Sequence, residues 1–402
     1  MGRGSVLISG GGVTGPTLAF WLERAGWRVT VLERAPAARP EGHNVDVRGA
    51  GREVLRRMGL EEAALERTTT EEATVFVDAD GRDLARFPAP QDDTRGLTAE
   101  LEILRSDLAG LLQTASADAV EYRYGDSIAR VHDTGTLVRV ALESGEELEV
   151  DAVLVAEGVN SRTRTRVFGG PGTEGAVRRL GAYCAYLAIP RSPEDEPTWR
   201  WYTATGGRSV HLRPDAVGTT RALLTFLSDT PGLDRVDEEG QRRVLRRVYA
   251  DAGWQTPRVL DGLDAAPFYL EDLAQVHLPT WSRGRVALVG DSAWCATPIS
   301  GMGTTLALTG AYVLARELGA PSDGDDPRAA FRRAEERLRP FVTRGQKLPP
   351  GTPRLAHPRS RAGLAAMRAA LTVAGGPVGR GLSALGARFA SPPADTFQLP
   401  PQ

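Results

Sequence analysis

Two glycine motifs standing far apart in the chain constrain its fold more than any other feature. Near the N-terminus the apolar run Val6-Leu7-Ile8 leads into Gly10-x-Gly12-x-x-Gly15. A helical stretch from Pro16 to Ala25 follows, then a second strand from Arg28 to Leu32 that ends at Glu33. This is a β-α-β unit within roughly 30 residues, the setting in which such glycines bind a dinucleotide. Gly10 permits the tight turn, Gly12 lets the backbone approach a pyrophosphate, and Gly15 lets the helix pack on the sheet. The helix start then offers free N–H groups and a positive dipole end to the phosphates. Glu33, about 20 residues on, is placed to accept hydrogen bonds from ribose hydroxyls, and its charge disfavours a 2′-phosphate.

The second motif opens after the strand Arg285 to Val289, where Gly290-Asp291 precedes Pro298-x-x-Gly301-x-Gly303 and a helical stretch from Gly303 to Ala315. An aspartate at a strand end can accept from a ribityl hydroxyl, and a glycine-rich helix entry offers N–H groups to the electron-rich side of a flavin ring. A plain NAD dehydrogenase has no use for this second site. One FAD lying across the domain accounts for both motifs, its adenosine end at the first and its ring at the second.

With the middle segment Asp151-x-x-x-x-Ala156-Glu157-Gly158-x-x-Ser161-x-x-Arg164, the chain resembles the class A FAD-dependent aromatic monooxygenases, the para-hydroxybenzoate hydroxylase-like family, over residues 4 to about 320. The resemblance implies that Gly10, Gly12, Gly15, Glu33, Arg34, Arg48, Arg105, Glu157, Gly158, Asp291, Pro298, Gly301, Met302 and Gly303 hold FAD. Arg48 and Arg105 would approach its phosphates or ribityl chain, since a guanidinium donates two bonds at once. It also implies NADH or NADPH as co-substrate and O2 as oxidant. A flavin C4a-hydroperoxide would then hydroxylate or epoxidise an aromatic or polyketide-like small molecule, chemistry that the resemblance assigns to secondary metabolism. The chain departs from the family at four places. Glu157 replaces the usual aspartate, Trp294 a usual histidine, Thr305 a usual asparagine, and Gly310 a usual helix aspartate. The last three changes, around the ring, keep a second reading open, a flavoprotein of the same fold in which structural FAD supports a non-redox cyclisation or isomerisation.

The expected fold is α/β, a Rossmann-like FAD-binding domain joined to a substrate domain built on a mainly antiparallel sheet, with a C-terminal helical segment. The FAD-binding domain takes residues 1–72, 98–168 and 276–320. The substrate domain takes 73–97 and 169–275, where Tyr183 to Ile189, Trp199 to Tyr202, Ser209 to Leu212 and Ala222 to Leu227 alternate at period two. Residues 98–113 read as a helix with Ile103, Leu104, Leu108, Leu111 and Leu112 on its apolar side. A polar linker at 321–327 precedes a helix from Arg328 to Gln346 and a C-terminal segment over 327–402 that is read as an irregular tail closed by helices over the FAD domain.

His211, Tyr202 and Arg213 are the candidates for polarising a substrate hydroxyl, with Tyr183, Tyr186 and His43 as further possibilities; an ordinary strand residue is the competing reading for each. Trp199, Trp201, Trp254 and Trp281 either line a pocket or fill core. A net charge of −2 gives no reason to propose nucleic acid or membrane as a partner. Two cysteines, Cys184 and Cys295, and five scattered histidines show no metal spacing. No signal peptide or membrane span is read, so the expectation is a cytoplasmic monomer or homodimer without metal.

Overall fold

The structure, a computed structural model, describes residues 3–38, 42–69, 71–89, 99–170, 173, 175–320, 326–376 and 397–401. Parts of the expected substrate-domain boundary at 97–98, most of the polar linker and much of the C-terminal tail lie outside them.

A six-stranded sheet runs in the order Ser282–Arg283, Val286–Leu288, Ala152–Val155, Ser5–Ser9, Arg28–Glu33, Glu121–Tyr124, parallel except for its first pair. Its central strands are buried on both faces, as their unbroken apolar runs require. The helices Thr14–Arg24 and Gly303–Gly319 pack against each other, and the second is flanked by Gly49–Met58 and Pro327–Gly345. Chain order reverses between Ser5–Ser9 and Ala152–Val155, and a crevice opens beyond their carboxyl ends, where ligands bind in open α/β sheets.

A seven-stranded sheet runs in the order Phe268–Val276, Val177–Pro190, Thr219–Leu227, Arg208–Pro214, Thr198–Ala204, Ala73–Val77, Asp83–Pro88, antiparallel except where Thr198–Ala204 meets Ala73–Val77. One face packs on the helices Glu238–Tyr249 and Thr256–Ala265 through Val75, Tyr183, Tyr202, Val210, Leu212, Leu224, Leu245, Tyr249, Val259 and Leu263. The other face looks toward the first sheet. Two smaller sheets complete the architecture. The hairpins at Asp133-Thr134-Gly135 and Ser144-Gly145 join Ile128–Asp133, Val138–Leu142 and Glu147–Val150, and Asn44–Asp46 pairs with Glu102–Leu104.

Two expectations change. The helix read over 98–113 begins only at Arg105, because Glu102–Leu104 is drawn into a strand by Asn44–Asp46. That partner is distant in sequence, so local periodicity could not reveal it. The C-terminal segment divides its contacts. Helix Arg361–Gly375 packs on the edge strand Asp83–Pro88 of the second sheet. Helix Pro327–Gly345 packs on Gly303–Gly319, and the last described stretch lies on the same side, where Phe397 stacks on Phe341 of that helix and Pro400 accepts from Arg57 and Tyr312.

Candidate active site

The crevice, about 320 Å³, is bounded by Gly10, Gly12, Glu33, Arg34, Arg105, Glu157, Gly158, Asp291 and Gly303, all singled out in the sequence. Gly10 sits at φ 117°, and a Cβ there would stand 2.3 Å from the Ala156 carbonyl oxygen; a Cβ on Gly15 would meet the Gly10 oxygen at 1.9 Å. These two glycines are dictated by close backbone approach between strand, turn and helix.

Glu33 is held in place by two backbone donors. Gly11 N–H donates to Oε2 at 2.8 Å and Ala35 N–H to Oε1 at 2.9 Å, leaving further lone pairs toward the crevice. At the same end Gln113 donates to the Gly11 carbonyl at 2.7 Å and accepts from Tyr124 Oη at 3.0 Å. Gln113, Tyr124, Ser127, Ile128, Asn160, Arg162 and Thr304 line the crevice as well and escaped the sequence reading. They belong to separate helices, strands and loops, and nothing in their local spacing signals a site.

The helices Thr14–Arg24 and Gly303–Gly319 both open onto this crevice with no side-chain cap and no acidic residue in the first turn. An uncapped helix start leaves orphan N–H donors, and two converging on one cleft form an anion- and dipole-binding arrangement. This set of donors, with the Glu33 carboxylate at one end and the Asp291 carboxyl at the other, fits FAD. Burial raises the Asp291 carboxyl above its ordinary range, opposed by the Arg105 guanidinium.

Other expected cofactor residues stand outside the lining. Arg48 pairs with Asp46 at 3.0 Å, and its N–H donates to Thr305 Oγ1 at 3.0 Å. Thr305 thus ties the long helix to the start of Gly49–Met58. Pro298 and Gly301 belong to a 3-10 turn with Met302 buried beneath it. Thr297 before it is held at φ 72°, uncommon for a β-branched residue, with Oγ1 buried and without a protein partner.

Glu157 faces the protein. Its oxygens accept from Ser9 Oγ at 2.7 Å, Thr163 Oγ1 at 2.6 Å, Ser161 Oγ at 2.8 Å and Thr163 N–H at 3.0 Å. Arg164 Nη1 reaches the Ser292 carbonyl at 3.1 Å, so the middle segment is joined to the turn after Gly290.

The face of the seven-stranded sheet that looks toward the crevice carries Cys184, Tyr186, Tyr269, Glu271, Ser209, His211, Arg213, Trp199 and Trp201. Tyr186 stacks on Tyr269 at 4.7 Å and on His43 at 4.5 Å, and His43 Nδ1 forms a short hydrogen bond with Tyr269 Oη. Burial and nearby arginines push His43 down to about 3, so the imidazole is neutral. Burial and Asp291 push Glu271 up to about 7. Neither Tyr186 nor Glu271 could be told from a core strand residue by alternation alone.

The three candidates for polarising substrate separate. Tyr202 lies on the opposite face, packed among the helices, with its hydroxyl accepting from Gly253 N–H at 3.2 Å; the expectation that it faces substrate is overturned by its strand parity. Tyr183 shares that face and donates to Thr230 O at 2.9 Å. His211 and Arg213 lie on the crevice side with their polar atoms engaged. Trp199 Nε1 donates to His211 Nδ1 at 3.1 Å, and His211 Nε2 meets Ser209 Oγ at 2.8 Å. Arg213 Nε donates to Glu71 at 3.1 Å, Nη2 lies 2.6 Å from Glu102, and the guanidinium sits 4.1 Å over the Trp199 ring. Burial pushes Glu71 up to about 8, with Glu102 adding repulsion, so Arg213 lies between two buried acids that cannot easily both ionise. Trp199 and Trp201 stack at 5.4 Å and Trp201 on Phe76 at 5.0 Å, completing an aromatic wall; Trp254 and Trp281 pack elsewhere.

A Rossmann-type crevice with two uncapped helix starts, backed by a separate antiparallel sheet with an aromatic face, defines a flavoprotein oxygenase. The chain belongs to the FAD-binding domain family, whose model matches residues 3–346. It is 35% identical over 362 residues to the FAD-dependent monooxygenase asL4 of Sarocladium schorii, covering 84% of each chain. It is 33% identical to the flavin-dependent monooxygenase eupH of a Phoma species over 98% of this chain and 96% of the relative. An uncharacterized Mycobacterium tuberculosis protein is 40% identical over 86% of this chain and 92% of its own. Among solved structures, tetracycline destructase Tet(51) superposes with a TM-score of 0.79 and 28% identity over 99% of both chains. The chain is thus a member of a family of FAD-dependent monooxygenases. Among the described residues no group of side chains could hold a metal ion, and no helix is long and apolar enough to cross a membrane.

Proposed function

We propose that this protein uses NADH or NADPH and O2 to hydroxylate or epoxidise a planar aromatic or polyketide-like molecule lying against the aromatic face of the seven-stranded sheet. The observation that carries this reading is the convergence of two uncapped helix starts on one crevice, with His43 and Tyr269 of the Tyr186–Tyr269–His43 stack close enough to Arg105 in its lining to feel that charge. Bound flavin supplies hydride acceptance and oxygen activation; the chain supplies binding, orientation and a dry environment. In this reading Gly12 and the first turn of Thr14–Arg24 hold the pyrophosphate, Glu33 the ribose, Arg34, Tyr124 and Ile128 the adenine end, and Asp291 the ribityl chain. The start of Gly303–Gly319 faces the ring. Neutral His43, with Tyr269, and Glu271 are the groups set to take or give a proton at the substrate; for Glu271 a carboxyl near neutrality suits either role.

The tetracycline destructase likeness supports a polycyclic, oxygenated substrate. The non-redox alternative drew on the replaced residues around the ring, but at two of these the Trp294 indole takes the space beside Gly310 inside the core, so that exchange has a packing reason and does not by itself favour non-redox chemistry. The deciding experiment mixes the purified protein anaerobically with NADH or NADPH and follows flavin absorbance, alone and with phenols, polyketides and tetracyclines. Bleaching accelerated by one compound, followed by O2 consumption in proportion to product, is the expected result. Product formed without reductant or O2 would overturn the reading in favour of a non-redox pocket.

A further inference from the structure

Ser209 is fully buried between two histidines, one of which comes from the C-terminal segment. Ser209 Oγ lies 2.8 Å from His211 Nε2 and 3.1 Å from His357 Nε2, and His357 Nδ1 lies 3.0 Å from the Pro353 carbonyl. The ends of this chain dictate its direction. Trp199 Nε1 can only donate, so His211 Nδ1 accepts and the neutral ring carries its proton on Nε2. That N–H donates to Ser209 Oγ, and the serine O–H is then free to donate to His357 Nε2. His357 in turn carries its proton on Nδ1 and donates it to Pro353 O, which can only accept. Each of these groups has one role and every role is met.

The same segment is joined to the second sheet by its backbone. Gly206 N–H donates to Arg359 O at 3.0 Å and Gly207 N–H to Pro358 O at 3.2 Å, at the turn between Thr198–Ala204 and Arg208–Pro214. His211 is itself packed against Trp201, ring centroids 4.3 Å apart, and against Trp199 at 5.7 Å. Ser209 has no access from solvent, so no substrate reaches it and the triplet is not a nucleophilic site.

We propose that His357 is a positioning residue: through Ser209 it holds His211, and through His211 the Trp199–Trp201 wall, which makes residues 353–360 part of the substrate site. That this wall meets substrate rests on the function proposed above; the tether itself does not. Burial lowers His357 and His211, and both are neutral at ordinary pH. Protonating His357 would place a second N–H against Ser209. The serine would then either accept from both rings and leave its own O–H without an acceptor, or donate to His211 Nε2 and turn the displaced Nδ1 proton against the Trp199 N–H; one donor goes unmet either way. The charged and titratable groups around the chain are Arg213 beside His211, with Glu71 and Glu102 behind it, and Tyr249, which donates to Ser209 O from the helix side. None of these is an acid in contact with His357 that could compensate its charge.

The test uses the flavin-loaded protein and compares wild type with His357→Ala, His357→Gln and Ser209→Ala by hydrogen–deuterium exchange, corrected for the intrinsic pH dependence of exchange. Glutamine keeps an acceptor for the serine and cannot take up a proton. At pH 7.5 the amides of 203–209 and 353–360 should be protected in wild type and His357→Gln. They should exchange roughly tenfold faster in His357→Ala and Ser209→Ala, the scale of one lost buried hydrogen bond with an orphaned partner. When the pH is lowered until His357 takes up a proton, wild type should lose this protection and His357→Gln keep it, with flavin content unchanged throughout. Wild-type protection in His357→Ala, or the same pH response in His357→Gln, overturns the proposal. With a substrate in hand, KM should rise about tenfold in His357→Ala at unchanged kcat and recover in His357→Gln. Failure of this kinetic arm while the exchange pattern holds would count against the substrate assignment of the wall and leave the tether standing.

Discussion

The Trp294 indole occupies the space that a side chain at position 310 would need: a Cβ on Gly310 would stand 2.4 Å from Trp294 Cζ2. The two positions lie on different elements, the short helix Asp291–Trp294 and the long buried helix Gly303–Gly319. In the family that this chain resembles, the pair is commonly histidine and aspartate. Here a large ring and a bare backbone replace two polar side chains, and the indole packs on Trp281 at 4.5 Å.

This pairing predicts strong coupling. Gly310→Ala should destabilise the protein by about 1–3 kcal/mol through overpacking despite alanine's better helix propensity. Trp294→His should cost on the order of 3 kcal/mol from the cavity it opens. The double variant Trp294→His/Gly310→Ala should be less destabilised than the sum, by about 1 kcal/mol or more. Chemical denaturation of the four proteins measures the cycle, and strict additivity would show that the two sites do not share one space.

Glu157 is a second departure that the surroundings explain. Its two oxygens collect four donors from Ser9, Ser161 and Thr163, on a strand and a helix start that the extra methylene reaches. Glu157→Asp, although it restores the usual family residue, should cost about 1–3 kcal/mol by orphaning buried donors. Thermal unfolding with and without added FAD checks this, the loss appearing in both.

Glu33 organises the opposite end of the crevice. Glu33→Gln replaces an acceptor-only carboxylate held by the N–H groups of Gly11 and Ala35 with an amide that turns a donor toward one of them. FAD affinity should fall roughly 10- to 100-fold, in line with about 1.5–3 kcal/mol for hydrogen bonds to a charged group. Fluorescence titration of the deflavinated protein with FAD gives the number, and an unchanged affinity would remove Glu33 from the cofactor site.

Glu71 sets a pH dependence of unusual sign. Its carboxyl is pushed up to about 8 from an ordinary 4.5, so the folded protein holds a proton that the unfolded chain releases. The sharing of Arg213 is most favourable below pH 4.5, and its contribution is lost as pH rises through about 8. Glu71→Gln, neutral at every pH, should match wild type near pH 5 and exceed it near pH 8 by on the order of 1–3 kcal/mol. His43 acts oppositely: lowered to about 3, it costs stability as pH falls below 6.5, where the unfolded chain takes up the proton first. Melting temperatures of both proteins between pH 5 and 8 separate these contributions; a Glu71→Gln variant that is less stable at every pH would show that Arg213 depends on an ionised Glu71.

The sequence by itself determined the parts of this protein that rest on local backbone demands. Gly10 and Gly15 are legible because a Cβ at either would enter a neighbouring carbonyl, and that intolerance leaves a mark at fixed spacing beside a strand and a helix. The alternating strands were legible for the same reason, since side-chain direction follows from backbone geometry. Tertiary structure decided everything that depends on which neighbour arrives. Alternation showed that Tyr202 and His211 project from paired strands; only the docking of Glu238–Tyr249 and Thr256–Ala265 on one face told which of them is turned away from the crevice. Strand Glu102–Leu104 exists because Asn44–Asp46, distant in the chain with helices and strands between, pairs with it. The exchange of bulk between Trp294 and Gly310, and the reach of His357 to Ser209, are contacts between residues far apart in the chain, and packing in space leaves no periodic trace along it.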